Sequence, residues 1–537
     1  MEKLDKKEWL LIAAVSLVVI FLTTLPIVIG IFYTPPGQIF LGSQINNFFD
    51  TPVYYSWIEQ VKDGHFLFKN LYTGETHPRF LFDIFWLAVG LAAKFLSLSS
   101  FAAFQIVRIA LIPMLLIVAY SLISFFFESK RARRWAFLMT TFSSGWGLIF
   151  LMLPDGLKLP TDSLIMDLGV VEANTFFSAY YSPHFIFSLT LILAIFFLTL
   201  KSWGERKLNL TIWAGGLSLI LFQFHPYYVP TIFGVLGLYL LALIIKNKKL
   251  SIFNIKSYLV ILLLSSPSII YHLWTLKTFL IRQGHAAQNI LPTPSILNFI
   301  FTYGAIFLLA LLGYAYIIKK QLNDKNLFLL VWPIAIIFLI YNPLINYQRK
   351  LIQSVHAALS ILAIFGVYYL INIYPDLKKY LKNTLLVSLL FIFLFTSSNI
   401  YIIQRDVQFY LGRLILFISP YISQNKKAAM EWAKTLPEGV FLAGYYNSNL
   451  LPAFALKQVY LGHWGMTANA FSKKEKVNWF FGQQATPEEQ KKFLTQNKIK
   501  YIFYEEEKQM FPNFHPQNLP FLKEIYKNTE VKIYEIN

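Results

Sequence analysis

Residues 33–79 read YTPPGQIFLGSQINNFFDTPVYYSWIEQVKDGHFLFKNLYTGETHPR. The stretch is polar, aromatic and rich in turn formers, and it carries Asp50, Glu59, Asp63 and Glu75 together with His65 and His77. A long apolar segment precedes it. Beyond it, up to about residue 403, apolar runs alternate with short basic links. A hydrated, carboxylate-bearing loop hung on a stack of apolar segments points to chemistry at a membrane surface.

Composition agrees. Of 537 residues, 56% are hydrophobic, 18% aromatic and only 14% charged, where a soluble globular protein carries about 25% charged residues. With a mean hydropathy of +0.51, the chain falls among polytopic membrane proteins. Its net charge of +19 does not signal nucleic-acid binding, because the Lys and Arg residues sit in short clusters beside apolar runs, as helix-flanking anchors do. The absence of cysteine excludes disulfides, thiolate metal sites and cysteine nucleophiles. The first apolar run follows MEKLDKKEW without an A-x-A-like cleavage site, so it reads as an uncleaved first span.

A spanning helix needs roughly 20 mostly apolar residues. On that basis spans are predicted near 9–32, 101–127, 135–153, 176–200, 210–224, 227–245, 253–275, 295–318, 326–342, 351–373 and 384–403. A further apolar segment, 80–98, is interrupted by Asp83 and Lys94, and mid-bilayer charges cost at least about 2.5–3.5 kcal/mol each. The basic clusters at 3–7, 130–134, 201–207, 246–249, 319–325 and 378–382 should all be cytoplasmic. They fall on one side only if 80–98 does not cross. It is therefore predicted to be re-entrant or interfacial, which gives an α-helical polytopic membrane protein of about 11 transmembrane helices. The N-terminus is then cytoplasmic, and a large outer loop spans 33–100.

That arrangement puts 154–175, the turn QFHPYY, 276–294, 343–350 and the whole tail on the extracytoplasmic side. From residue 404 the composition changes. Residues 425–435 and 487–497 read as helices, whereas 440–446, KIKYIFYEEE and VKIYEI read as strands. The division expected is a transmembrane domain over 1–403 and a small extracytoplasmic α/β domain over 404–537.

Asp50 is the first residue to carry chemistry. It sits where a loop enters a helix, after Phe48 and Phe49 and before Thr51 and Pro52. Asp at that position can cap the helix. A carboxylate among aromatics at the mouth of the first outer loop can also act as a general base. Tyr54 and Tyr55, which follow, suit either the interfacial aromatic belt or stacking on a sugar.

The order of these features resembles the GT-C superfamily of membrane glycosyltransferases, whose members include protein O-mannosyltransferases, aminoarabinose transferases of lipid A and the oligosaccharyltransferase catalytic subunit. The layout resemblance covers the whole chain. At the residue level it rests on Asp50 and the aromatics after it, on His77-Pro78, and on Glu172 with Ser182-Pro183-His184. The tail stretch VYLGHWGMTANAFSKKEKV is similar to one in uncharacterised bacterial relatives.

The resemblance implies that Asp50 is the catalytic base, deprotonating an acceptor that attacks the anomeric carbon with inversion. It implies a second acid in the second outer loop, for which Glu172 is expected and Asp162 and Asp167 are rivals; the plain alternative is a solvated loop acid. The oligosaccharyltransferase pattern calls for closely spaced acids at a metal. This loop has no D-x-D, so a divalent cation stays open as a cofactor and no metal ligand is assigned. The donor implied is a polyprenyl-phosphate sugar. Arg349 and Lys350 would meet its phosphate, or else snorkel to lipid headgroups. Arg282 with His285 is the second choice. His77 and His184 would bond substrate or cap helices.

The function expected is transfer of a sugar to a glycan, lipid or protein acceptor at the outer face of a bacterial cytoplasmic membrane. The alternatives are a transporter or lipid flippase, and a glycan polymerase or ligase using a pyrophosphate-linked donor.

Overall fold

The apolar runs become helices because lipid offers no partner to a backbone N–H or C=O, so each segment must satisfy its own. The computed structural model describes residues 4–154, 165–382, 384–482, 485–505 and 514–537. Asp162 lies outside the described residues. Among them, seven helices are long and apolar enough to cross a membrane: Lys6–Phe32, Ser100–Phe126, Pro183–Glu205, Pro226–Asn247, Ile252–Thr278, Ile296–Gln321 and Val355–Ile373. An eighth span is completed if Val387–Phe395 and Ser397–Tyr410, bent by 63° at their junction, are taken as one.

The predicted count of about eleven is therefore higher than the number of full-length helices, for local reasons. Leu208–Phe224 and Asp324–Ile340 have 17 residues each, about 25 Å of helix at 1.5 Å per residue against a hydrocarbon core of about 30 Å. The run 135–153 is broken. Helix Lys130–Phe142 ends before a turn, and Gly147–Met152 starts anew, because the N–H groups of Gly145 and Gly147 donate to Asp167 (3.0 and 3.3 Å). Within 80–98 the helix is Ile84–Phe95, only 12 residues long, and Asp83 accepts from the Trp86 N–H at its start. The charge that interrupts the apolar pattern is thus the helix cap.

The chain divides into two units. The first comprises Met1–Pro26, Gln105–His272 and Ile290–Asp406; the second comprises Ile27–Phe104, Leu273–Asn289 and Val407–Asn537. The second unit thus takes in the loop after the first long helix and the helix Leu280–Gln288 as well as the tail.

The first unit is a helical bundle. Two of its helices, Thr175–Tyr181 and Asp324–Ile340, start on side-chain caps, Asn174 accepting from Phe177 and Asn323 from Asn326. Where Ile296–Tyr316 packs on Val355–Ile373, Gly313 and Gly366 leave the backbones in contact. Arg108 is buried, its guanidinium donating to Gln105 (2.9 Å) and Thr24 (3.0 Å).

Among the described residues the second unit holds seven short strands. β1 (Gln38–Phe40) pairs antiparallel with β2 (Tyr421–Ser423), in the register Gln38 to Ser423 and Phe40 to Tyr421. The remaining strands are β3 (Val440–Leu442), β4 (Gln458–Val459), β5 (Ile499–Glu505), β6 (Leu522–Lys527) and β7 (Val531–Ile536). They form one sheet in the order β4-β3-β5-β7-β6, with β3 parallel to β4 and β5, and β7 antiparallel to β5 and β6. Its faces are covered by apolar side chains including Phe441, Leu451, Tyr501 and Ile533 on one side and Phe480, Phe493, Ile502 and Phe514 on the other. Helix Pro487–Gln496 opens on a capping box between Thr486 and Glu489.

Candidate active site

In the second unit, the apolar pair Phe48–Phe49 is drawn into the core against Phe409, Tyr445 and Tyr446. That burial fixes where the following helix, Asp50–Lys62, begins, and it leaves Asp50 in the first turn. The Asp50 carboxylate is 39% exposed, and its Oδ1 lies 3.0 Å from Nε2 of His463, an imidazole only 8% exposed. His463 follows β4, and Tyr445 follows β3. The carboxyl ends of two parallel strands thus deliver an imidazole and a phenol to one carboxylate, at the edge where open α/β sheets place their ligands. The charge of Asp50 acts on the Tyr445 hydroxyl, which burial raises above its ordinary pKa, and Lys474 Nζ stands 5.4 Å from the centre of the Tyr445 ring.

The imidazole is rigidly mounted. The His463 carbonyl accepts the N–H groups of Met466 and Thr467, both at 2.9 Å. Thr467 Oγ1 donates to the Tyr72 carbonyl (2.5 Å) and accepts from the Gly462 N–H (2.9 Å). The Met466 carbonyl accepts from Asn70 Nδ2 (2.7 Å) and His285 Nε2 (2.6 Å). Burial pushes His285 down to about 4, with the Arg282 charge adding to the shift, so its ring stays neutral.

His77 lies on the first loop, its ring nitrogens 3.0 Å from the Asn70 carbonyl and 2.9 Å from that of Pro78; burial lowers its pKa. Glu75 pairs with Lys473 (2.6 Å). Tyr54 and Tyr55 are packing residues here. Tyr54 stacks on Trp86 at 4.7 Å, and Tyr55 is buried with its hydroxyl donating to the Leu41 carbonyl (3.1 Å).

The first unit gathers a second polar group. Three short turns pack together: Val171–Ala173 with Glu172, Pro226–Tyr228, and Gln348–Ile352 with Arg349 and Lys350. Glu172 is buried, and its charge acts on Tyr228, whose hydroxyl donates to Gln353. His184 meets the ring of His225 edge-on at 5.1 Å, and its Nδ1 lies 2.8 Å from Ser182 Oγ. Lys350 Nζ lies 5.0 Å from the centre of the Tyr227 ring. Burial pushes His225 well below the usual imidazole range, with His184 and Lys350 adding positive charge nearby. Arg349 donates its backbone N–H to Leu291 (3.1 Å), tying this turn to the preceding loop.

Glu172, His184 and Lys350 therefore come together within the first unit, and Asp50 comes together with His463 in the second. His463 lies within the quoted tail stretch but takes no role from the sequence, as no local pattern marks it. Asp167, a rival to Glu172, is fully buried and occupied by the Gly145 and Gly147 N–H groups; burial raises it to about 7. Among the described residues, no three His, Asp or Glu side chains converge as a metal-ligand set.

No protein-family model matches the chain, and no curated protein does. Solved structures do. The oligosaccharyltransferase of Archaeoglobus fulgidus in its apo form is 12% identical with a TM-score of 0.57, the match covering 94% of this chain and 70% of that one. The same enzyme tethered to an acceptor peptide matches at 12% identity and a TM-score of 0.56, over 99% of this chain and 74% of that one. In complex with an inhibitory peptide and a dolichol-phosphate, it matches to the same extent. The arabinofuranosyltransferase AftD from Mycobacteria matches at 11% identity and a TM-score of 0.53, over 99% of this chain and 42% of that one.

Proposed function

From the GT-C fold that the chain shares with these two transferases, we propose that it is an integral membrane glycosyltransferase. It moves a sugar from a polyprenyl-phosphate donor to an acceptor hydroxyl at the extracytoplasmic face of a bacterial cytoplasmic membrane. Asp50 takes the acceptor's proton. The freed oxygen attacks the anomeric carbon from the face opposite the phosphate, the carbon–oxygen bond to phosphate breaks, and the configuration inverts. Lys350 and Arg349 meet the negative charge left on the departing polyprenyl phosphate, and preorganised charge of this kind is a large part of transfer catalysis. Glu172 is the acidic helper, held by its turn beside Tyr228.

The observation that carries the reading is the Asp50 carboxylate itself. It is part exposed, begins a helix, and is bonded to an imidazole 3.0 Å away. A carboxylate held that way can accept a proton without first breaking out of a buried ion pair. The dolichol-phosphate bound to the archaeal oligosaccharyltransferase supports a lipid-linked donor.

The test is transfer of radiolabelled sugar from polyprenyl phosphate by the purified chain in detergent. Asp50→Asn should lower kcat by about 10²–10⁴-fold, the usual weight of a general base. Undiminished transfer by that variant removes Asp50 from the mechanism.

A further inference from the structure

We propose that His463 is a positioning residue for transfer: through its Nε2–H it holds the Asp50 carboxylate in one orientation as proton acceptor. The inference rests on the reading of Asp50 as base and assigns the group that orients it.

Hydrogen bonding fixes the tautomer. The Gly465 N–H donates to His463 Nδ1 at 3.2 Å, which makes Nδ1 an acceptor and puts the ring proton of the neutral imidazole on Nε2. That proton faces Asp50 Oδ1, 3.0 Å away. The backbone that carries the ring is held, because its own carbonyl closes the 463–467 turn and that turn is bonded through Thr467, Met466 and Ala468 to residues 70–73 of the first loop. A buried ring on a fixed turn, donating to a part-exposed acid, is the arrangement in which one group sets the direction of another. Tyr445, which feels the Asp50 charge, and Lys474 beyond the Tyr445 ring also face this corner.

Four variants of the full chain decide the matter. His463→Ala removes the donor, His463→Phe removes it while filling the same buried space, His463→Gln keeps an N–H of similar reach, and Asp50→Asn tests the base. The readouts are kcat, donor KM and the acid limb of the pH–rate profile.

His463→Ala and His463→Phe should lose about 10- to 100-fold in kcat, as loss of a hydrogen bond to a charged group brings, with donor KM unchanged. Their acid limbs should move to higher pH, because the charged carboxylate has lost a stabilising donor. His463→Gln should recover most of the rate and the original limb. Wild-type kcat and limb in both donor-less variants overturn the inference. So does a Gln variant as slow as Phe with an unmoved limb, which marks a purely structural histidine. If Asp50→Asn is inactive while the His463 variants are intact, the positioning role alone falls; if Asp50→Asn transfers normally, the base reading falls with it.

Discussion

Gly313 and Gly366 face each other where the helices Ile296–Tyr316 and Val355–Ile373 pack, each so close that a methyl group in its place would run into a backbone carbonyl of the other helix, Leu362 O for Gly313 and Leu309 O for Gly366. Helices in lipid gain little from burying apolar surface and associate by close contact instead, which small residues allow.

Substituting Gly366→Leu should therefore destabilise the first unit by about 1–3 kcal/mol or more, the range for overpacking a fitted interior. The drop is read as a lower unfolding temperature in detergent. Gly216 has nothing within 4 Å of its would-be methyl group, so Gly216→Ala serves as the control and should hold or raise that temperature.

Lys350 should govern the donor. Lys350→Ala is expected to raise donor KM by about 10- to 100-fold, the loss of one charge-assisted contact to phosphate, with acceptor KM unmoved. Lys350→Arg should stay within several-fold of wild type. A raised acceptor KM with unchanged donor KM would reassign the residue.

His285 makes stability depend on acid. Burial lowers it from 6.5 to about 4 in the folded chain, so between those values the unfolded chain binds a proton that the folded chain refuses. Stability from the neutral ring is complete above about pH 6.5 and is lost as pH falls toward 4, by up to about 3 kcal/mol. Hydrogen exchange in helix Leu280–Gln288 should rise over that window in the wild type, and His285→Gln should flatten the dependence.

Asp167 has the opposite sign. Its carboxyl is raised from 3.8 to about 7, so the neutral form favours folding at low pH and that advantage is lost as pH rises through 7. Asp167→Asn keeps an oxygen for the Gly145 and Gly147 N–H groups without the buried charge. It should unfold about 1–3 kcal/mol later than wild type at pH 8, converge with it near pH 4, and transfer sugar normally. Asp167→Ala orphans two buried N–H groups and should be destabilised at both pH values.

What could be read in the sequence was whatever local composition dictates. Long apolar runs had to be helices, and 487–497 read as a helix that the structure realises as Pro487–Gln496, opened by a capping box between Thr486 and Glu489. Asp50 was legible as a loop-to-helix residue, because Phe48 and Phe49 before it and Pro52 after it set the local geometry. Tyr54 and Tyr55 were ambiguous: a buried stack on Trp86 and an open sugar platform use the same residue types. His463 was illegible as a partner. The turn that presents it is fixed by Asn70 bonding to Met466 across 396 residues and by Thr467 bonding to Tyr72 across 395, and no local pattern encodes contacts of that span. The 143–146 break was illegible as well, because it answers to Asp167, more than 20 residues downstream.

The pairing of β1 with β2, and the bonds from Gln458 to Thr73 across 385 residues, carry a consequence for biogenesis. A ribosome adding about 5–20 residues per second needs roughly 20–80 s to make that much chain. For all that time the Asp50 loop has been synthesised but has neither the strand it pairs with nor the His463 imidazole that lies 3.0 Å from Asp50. The loop therefore stays without its strand partner until the tail is delivered, and a product cut short before Tyr421 would lack the β1–β2 pairing.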